Sequence, residues 1–95
     1  QHWYATIEWK RLRARCLKAA GYTCQWAGCG RMESDTSLLV ADHVVPHRGN
    51  RALFYDATNL QCLCKDCHDG PKQAQDRRLY GAAIDLVQGG DGVWR

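Results

Sequence analysis

Two cysteine pairs constrain this chain more than any other feature. Cys24 and Cys29 form a C-x4-C pair across a turn-like Trp-Ala-Gly link, Cys64 and Cys67 form a C-x2-C pair, and one long loop separates them. Each short knuckle presents two sulfurs to one tetrahedral ion, which is the spacing a four-thiolate zinc site needs. Three disulfides are the competing use of six cysteines, and two pairs this tight speak against them. Cys62 complicates the count, because Cys62, Cys64 and Cys67 offer alternative pairs. C-x2-C is the commoner knuckle, so Cys16 and Cys62 are expected as buried small apolar residues. Alone, Cys64-Lys65-Asp66-Cys67-His68 also matches covalent haem attachment. That reading leaves Cys24 and Cys29 unused and offers only Met32 as a thioether ligand.

A chain of 95 residues is too short for two cores, so residues 1–95 are expected to form a single domain. A domain of this size buries only about 60% of its unfolded surface, and a metal staple supplies stability that the core lacks. The formal charge of +3 is informative only through its distribution. No apolar run approaches a membrane span and no signal-peptide pattern is visible. Reduced thiols on zinc favour a cytoplasmic setting.

The segment Thr6–Gly21 predicts a helix over about 7–20, with Thr6 as N-cap, Glu8 in the first turn and Gly21 closing the end. Trp9, Leu12, Cys16 and Ala20, flanked by Leu17, recur at helical spacing and face a core. Lys10, Arg11, Arg15 and Lys18 fall outside that stripe and form a basic face, for which solvation is the bland reading and which gains weight only beside a phosphate-handling site. Arg13 lies near the stripe and is expected along the apolar surface or on a buried acceptor. Residues 37–47 read as a short strand ended by Pro46. Gly49-Asn50 then marks a turn, and Leu53, Phe54 and Tyr55 fold back onto the core. Asp56 caps the short turn that follows. From Leu60 onward helical pieces are expected, with Gly70-Pro71 interrupting or restarting them. A weak terminal stripe of Leu79, Ala82, Ala83 and Leu86 precedes a loose tail at about 88–95, with Trp94 docking.

The chemistry concentrates at Asp42-His43. Neighbours on a strand point to opposite sides of the backbone, so the carboxylate can turn toward a divalent cation while the imidazole turns toward a water. A lone Asp-His dipeptide is weak evidence, but Asn59 and His68 follow downstream.

At these residues the sequence resembles the HNH endonuclease family, specifically its small phage-type members. The matching stretches are GYTCQWAGC, ADHVVPHRGN and FYDATNLQCLCKDCHDGPK, preceded by WKRLRARCL, and together they span about Trp9 to Lys72. Gln73 stands where many relatives carry Thr, a departure that bears on phosphate contact there. The resemblance implies an α+β fold: a ββα-metal (His-Me finger) core over about 22–75, stapled by a four-cysteine zinc and flanked by the basic helix and a C-terminal helical segment. By position, Asp42 and His68 would hold one catalytic cation, His43 would be the general base, and Asn59 would orient His43 and brace the loop. Cys24, Cys29, Cys64 and Cys67 would hold the structural zinc.

A neutral imidazole suits deprotonation of water. An Asp oxygen with one His suits Mg2+ or Mn2+, with Co2+ and Ni2+ as borderline alternatives, whereas four thiolates suit Zn2+. The implied reaction is phosphodiester hydrolysis in DNA leaving a 5′-phosphate and a 3′-hydroxyl, by nicking or double-strand cutting. His47, Arg48 and Lys72 are further candidates for phosphate contact. By analogy the partner would be a phage terminase within a bacterial host, and the chain is expected as a monomer. The rival reading is a zinc-ribbon-like binding module without catalysis, which has no use for Asp42, His43, Asn59 and His68 together.

Overall fold

Helix α1 (Ile7–Ala19) opens the fold in a computed structural model that describes residues 2–81. The Thr6 hydroxyl accepts the backbone N–H of Trp9 at 3.2 Å, a cap whose loss typically costs about 1 kcal/mol. At the other end, Gly21 adopts φ +63°, and the N–H groups of Gly21 and Tyr22 return to the carbonyls of Lys18 and Leu17, each at 2.9 Å. This paired closure satisfies carbonyls that the helix leaves open. Trp9 and Leu17 are buried, and Arg13 donates to the carbonyls of Thr36 and Leu39 at 2.7 and 3.1 Å. The guanidinium thus ties α1 to the start of the first strand.

Strands β1 (Leu39–His43) and β2 (Leu60–Cys64) pair antiparallel, with Ala41 opposite Cys62 and Asp42 opposite Gln61. The strand is shorter than the apolar run predicts, because residues 36–38 form a 3-10 turn capped by Asp35. All five β1 residues are buried, since side chains from α1 cover one face and those from the helix after β2 cover the other. That double cover explains why the segment reads as continuously apolar rather than alternating.

Between the strands runs an irregular connection holding the short helix α2 (Arg51–Phe54), capped by Asn50, and a 3-10 turn capped by Asp56. Phe54 is fully buried, as predicted. After β2 the chain enters α3 (Lys65–Cys67), a π-helical turn His68–Lys72 and α4 (Gln73–Tyr80). Gly70-Pro71 therefore does not break the helix as expected. The widened turn absorbs a proline that lacks an N–H and would clash in a regular turn. Leu79 is 65% exposed, so it does not belong to a core-facing stripe; Ala82, Ala83, Leu86, Trp94 and the tail lie outside the described residues. Among the described residues no helix is long and apolar enough to cross a membrane.

Candidate active site and metal centre

The sulfurs of Cys24, Cys29, Cys64 and Cys67 all lie within 4.8 Å of one another, and Cys29 Sγ is 4.0 Å from Cys64 Sγ. Four sulfurs about 2.3 Å from one tetrahedral ion are about 3.8 Å apart, so the cluster has the dimensions of a metal site. Backbone pairing holds the first knuckle: Cys24 N–H bonds Arg31 O, and Gln25 exchanges bonds with the Cys62 backbone through its own N–H and side-chain oxygen. The second knuckle is the junction of β2 with α3. Cys62 is 0% exposed and Cys16 packs beside it, outside the sulfur cluster. Burial pushes both thiols up to about 11.

Asp42 points toward the helix after β2. Its Oδ1 lies 3.6 Å from His68 Nε2, while its Oδ2 accepts from Gln61 Nε2 at 3.0 Å and sits 3.3 Å from Lys72 Nζ. Burial raises the Asp42 carboxyl, and Lys72, Gln61 and His68 pull it back toward the anion. His68 Nδ1 is 3.0 Å from an Asp69 carboxylate oxygen, a pure acceptor. In the neutral ring that contact protonates Nδ1 and leaves the Nε2 lone pair directed at Asp42. Two electron-rich atoms facing each other at 3.6 Å in a buried site fit a shared cation, since ligands about 2.1 Å from one ion stand about 3–4 Å apart.

His43 points the other way. Its ring stacks on Trp9 with centroids 5.4 Å apart and 18° between planes, and it contacts Tyr4, His47 and Phe54. His43 Nε2 is 3.1 Å from the Phe54 carbonyl oxygen, which can only accept, so Nε2 carries the proton and Nδ1 the lone pair. Burial in this aromatic cage pushes the imidazole down to about 4.

No hydrogen bond joins the Asn59 side chain to His43. That side chain bonds Val45 N–H and Val45 O, each at 2.9 Å, and reaches Leu53 O at 3.4 Å, so it braces the loop. The direct hold on His43 comes from Phe54, a main-chain partner that no side-chain pattern reveals.

Two expected phosphate contacts are corrected. Lys72 is 1% exposed and bonds His43 O at 3.0 Å and Asp76 Oδ2 at 2.6 Å, because a cation is needed where buried carboxylates converge. His47 is buried among the aromatic rings, with Nδ1 accepting from Gly49 N–H and Nε2 against Tyr4 OH, both at 3.1 Å. Arg48 is exposed at φ +50° in a turn closed by Asn50 N–H on His47 O. Lys10, Arg11, Arg15 and Lys18 are exposed. At about 100° per residue, Arg11, Arg15 and Lys18 cluster on the side of α1 opposite Trp9, and Lys10 lies apart from them.

Gln61, Asp69 and Asp76 escaped the reading of the sequence. The hairpin register could have flagged Gln61 opposite Asp42, and the i,i+4 spacing of Lys72 and Asp76 could have flagged that pair.

The site is thus a hairpin feeding a helix, with an Asp and a His converging across them and a second His behind the strand. The HNH endonuclease family profile matches residues 24–72, and the chain belongs to that family. Among solved structures it is similar to the HNH endonuclease of the deep-sea thermophilic bacteriophage GVE2, crystallised with manganese ion, at 32% identity, 82% coverage of each chain and a TM-score of 0.67. No curated protein matches the chain.

Proposed function

We propose that this HNH endonuclease is a DNA hydrolase that uses a single divalent cation held by Asp42 and His68, with His43 as general base. The observation that carries the reading is the approach of Asp42 Oδ1 to His68 Nε2 at 3.6 Å, immediately beside a histidine whose basic nitrogen is set by a carbonyl. His43 Nδ1 takes a proton from the attacking water, and its low basicity keeps it neutral at working pH. Phe54 O fixes the ring through Nε2–H, and Trp9 fixes its plane. Asn59 holds the loop through Val45 and Leu53. A bound Mg2+ or Mn2+ supplies Lewis-acid polarisation of the phosphoryl group and charge stabilisation at the departing 3′ oxygen. The manganese in the phage relative supports this choice of metal. The products are a 5′-phosphate and a 3′-hydroxyl.

Zn2+ on Cys24, Cys29, Cys64 and Cys67 fastens both ends of the segment that carries Asp42, His43 and Asn59. Arg11, Arg15, Lys18 and Arg48 are the exposed cations offered to DNA phosphates, with Lys10 at the margin. Work beside phage packaging machinery, with a terminase as partner, belongs to the same reading by analogy with the small phage-type members of the family.

The test is zinc-loaded protein freed of other divalent ions and incubated with supercoiled plasmid. Mn2+ or Mg2+ should restore nicking or cutting, and His43→Ala should abolish it with fold and zinc intact. Binding without metal-dependent cutting would instead favour the non-catalytic module.

A further inference from the structure

We infer that Lys72, held by Asp76, is a positioning residue: together with Gln61 it occupies Oδ2 of Asp42 and so directs Oδ1 toward His68. The inference rests on the assignment of Asp42 and His68 as ligands of the catalytic cation. An ammonium has three N–H donors, and three acceptors surround this one: His43 O at 3.0 Å, Asp76 Oδ2 at 2.6 Å and Asp42 Oδ2 at 3.3 Å. Lys72 therefore grips both members of the Asp42-His43 pair, one by its side chain and the other by its main chain.

Stability alone does not account for this arrangement. Taking an ammonium and two carboxylates out of water carries a desolvation penalty of about several kcal/mol per ion, and a well-packed apolar replacement of the same volume is often neutral or stabilising. Asp76 adds to the penalty, since its buried Oδ1 has no hydrogen-bond partner among the described residues. What the pair supplies is direction. Gln61 and Lys72 both address Oδ2, so the carboxylate cannot rotate to present that oxygen without giving up both contacts. Charge is regulated at the same point: Asp42, Asp76 and Lys72 sum to one negative charge, so an arriving cation meets the charge of a single carboxylate.

The experiment compares the zinc-loaded wild-type chain with Lys72→Met/Asp76→Leu, which removes the pair as a neutral unit. Mn2+ affinity is measured by electron paramagnetic resonance of the free ion, thermal midpoint by circular dichroism, and plasmid cutting at saturating Mn2+. The positioning role predicts Mn2+ binding weakened by roughly 10–100-fold in a protein that still folds. A purely structural role would move the midpoint and leave Mn2+ affinity of the folded protein within about twofold of wild type; that result overturns the inference. If the double variant does not fold, Gln61→Met removes the other Oδ2 donor at a partly exposed position. Weakened Mn2+ binding there upholds the positioning of Oδ2, and unchanged binding overturns it. A wild-type chain that binds no Mn2+ refutes the ligand assignment itself, an outcome distinct from these.

Discussion

Asp42 Oδ1 and His68 Nε2 meet at 3.6 Å although one rides on the first strand and the other on the helix that follows the second. The residue before His68 is Cys67, a member of the sulfur cluster. Staple and proposed active site thus share a junction, and adjacent substitutions should separate their roles. Cys67→Ser should weaken zinc binding and cost about 3 kcal/mol or more of stability, lowering Tm by roughly 12–24 °C. His68→Ala should keep zinc stoichiometry and most of the Tm but lose metal-dependent cutting. Zinc content, Tm and plasmid nicking read out both.

The cage around His43 has a pH signature. Its folded-state value of about 4 lies below the ordinary 6.5, so the unfolded chain takes up a proton that the folded chain refuses. Stability from this group is complete above about 6.5 and declines as pH falls toward 4. Between pH 7 and 5 the loss is on the order of 2 kcal/mol. Urea unfolding of wild type and His43→Phe at both pH values should show a smaller acid loss in the variant; equal losses would mean the ring is protonated in place.

Arg11 and Lys18 lie on the side of α1 away from its buried stripe, so their replacement leaves packing alone. The double change to Ala should shift stability by less than about 1 kcal/mol. Duplex affinity should fall, and its salt slope should flatten by about 2. An unchanged slope, measured by fluorescence anisotropy over a salt series, would show that this face is merely solvated.

Cys16 and Cys62 should be chemically quiet. With their thiols near 11, about one in a thousand is thiolate at pH 8. Native alkylation of zinc-loaded protein should label neither, whereas chelation should release the Cys24, Cys29, Cys64 and Cys67 thiols to the reagent. Peptide mapping by mass spectrometry distinguishes the two sets.

Sequence reading reached the elements whose signals are local. Thr6 and Gly21 bound α1 because capping is written within one turn, and Cys24, Cys29, Cys64 and Cys67 cluster as their spacing predicts. Opposed side chains of Asp42 and His43 followed from strand geometry alone. Missed features depend on tertiary placement. Lys72 reads as a surface cation until Asp42 and Asp76 are seen to converge on it, and the carbonyl that holds His43 belongs to a Phe chosen for its ring. Gly70-Pro71 signals a break locally, yet the helix runs on because Lys72, just past the pair, is anchored to β1 through His43 O and Asp42.

The π-helical turn fixes a phase relation between the two ends of the last helix. It carries one residue more than a regular turn, so deleting Gly70 and replacing Pro71 with Ala would let α3 and α4 run on as one ordinary helix. A wide turn and a regular turn both close about one revolution, so everything beyond the deletion would keep nearly the same face toward the hairpin while His68 stayed put. Lys72 and Asp76 would still face the hairpin. The extra residue is thus taken up as width rather than as rotation, and both ends of the helix address the same site.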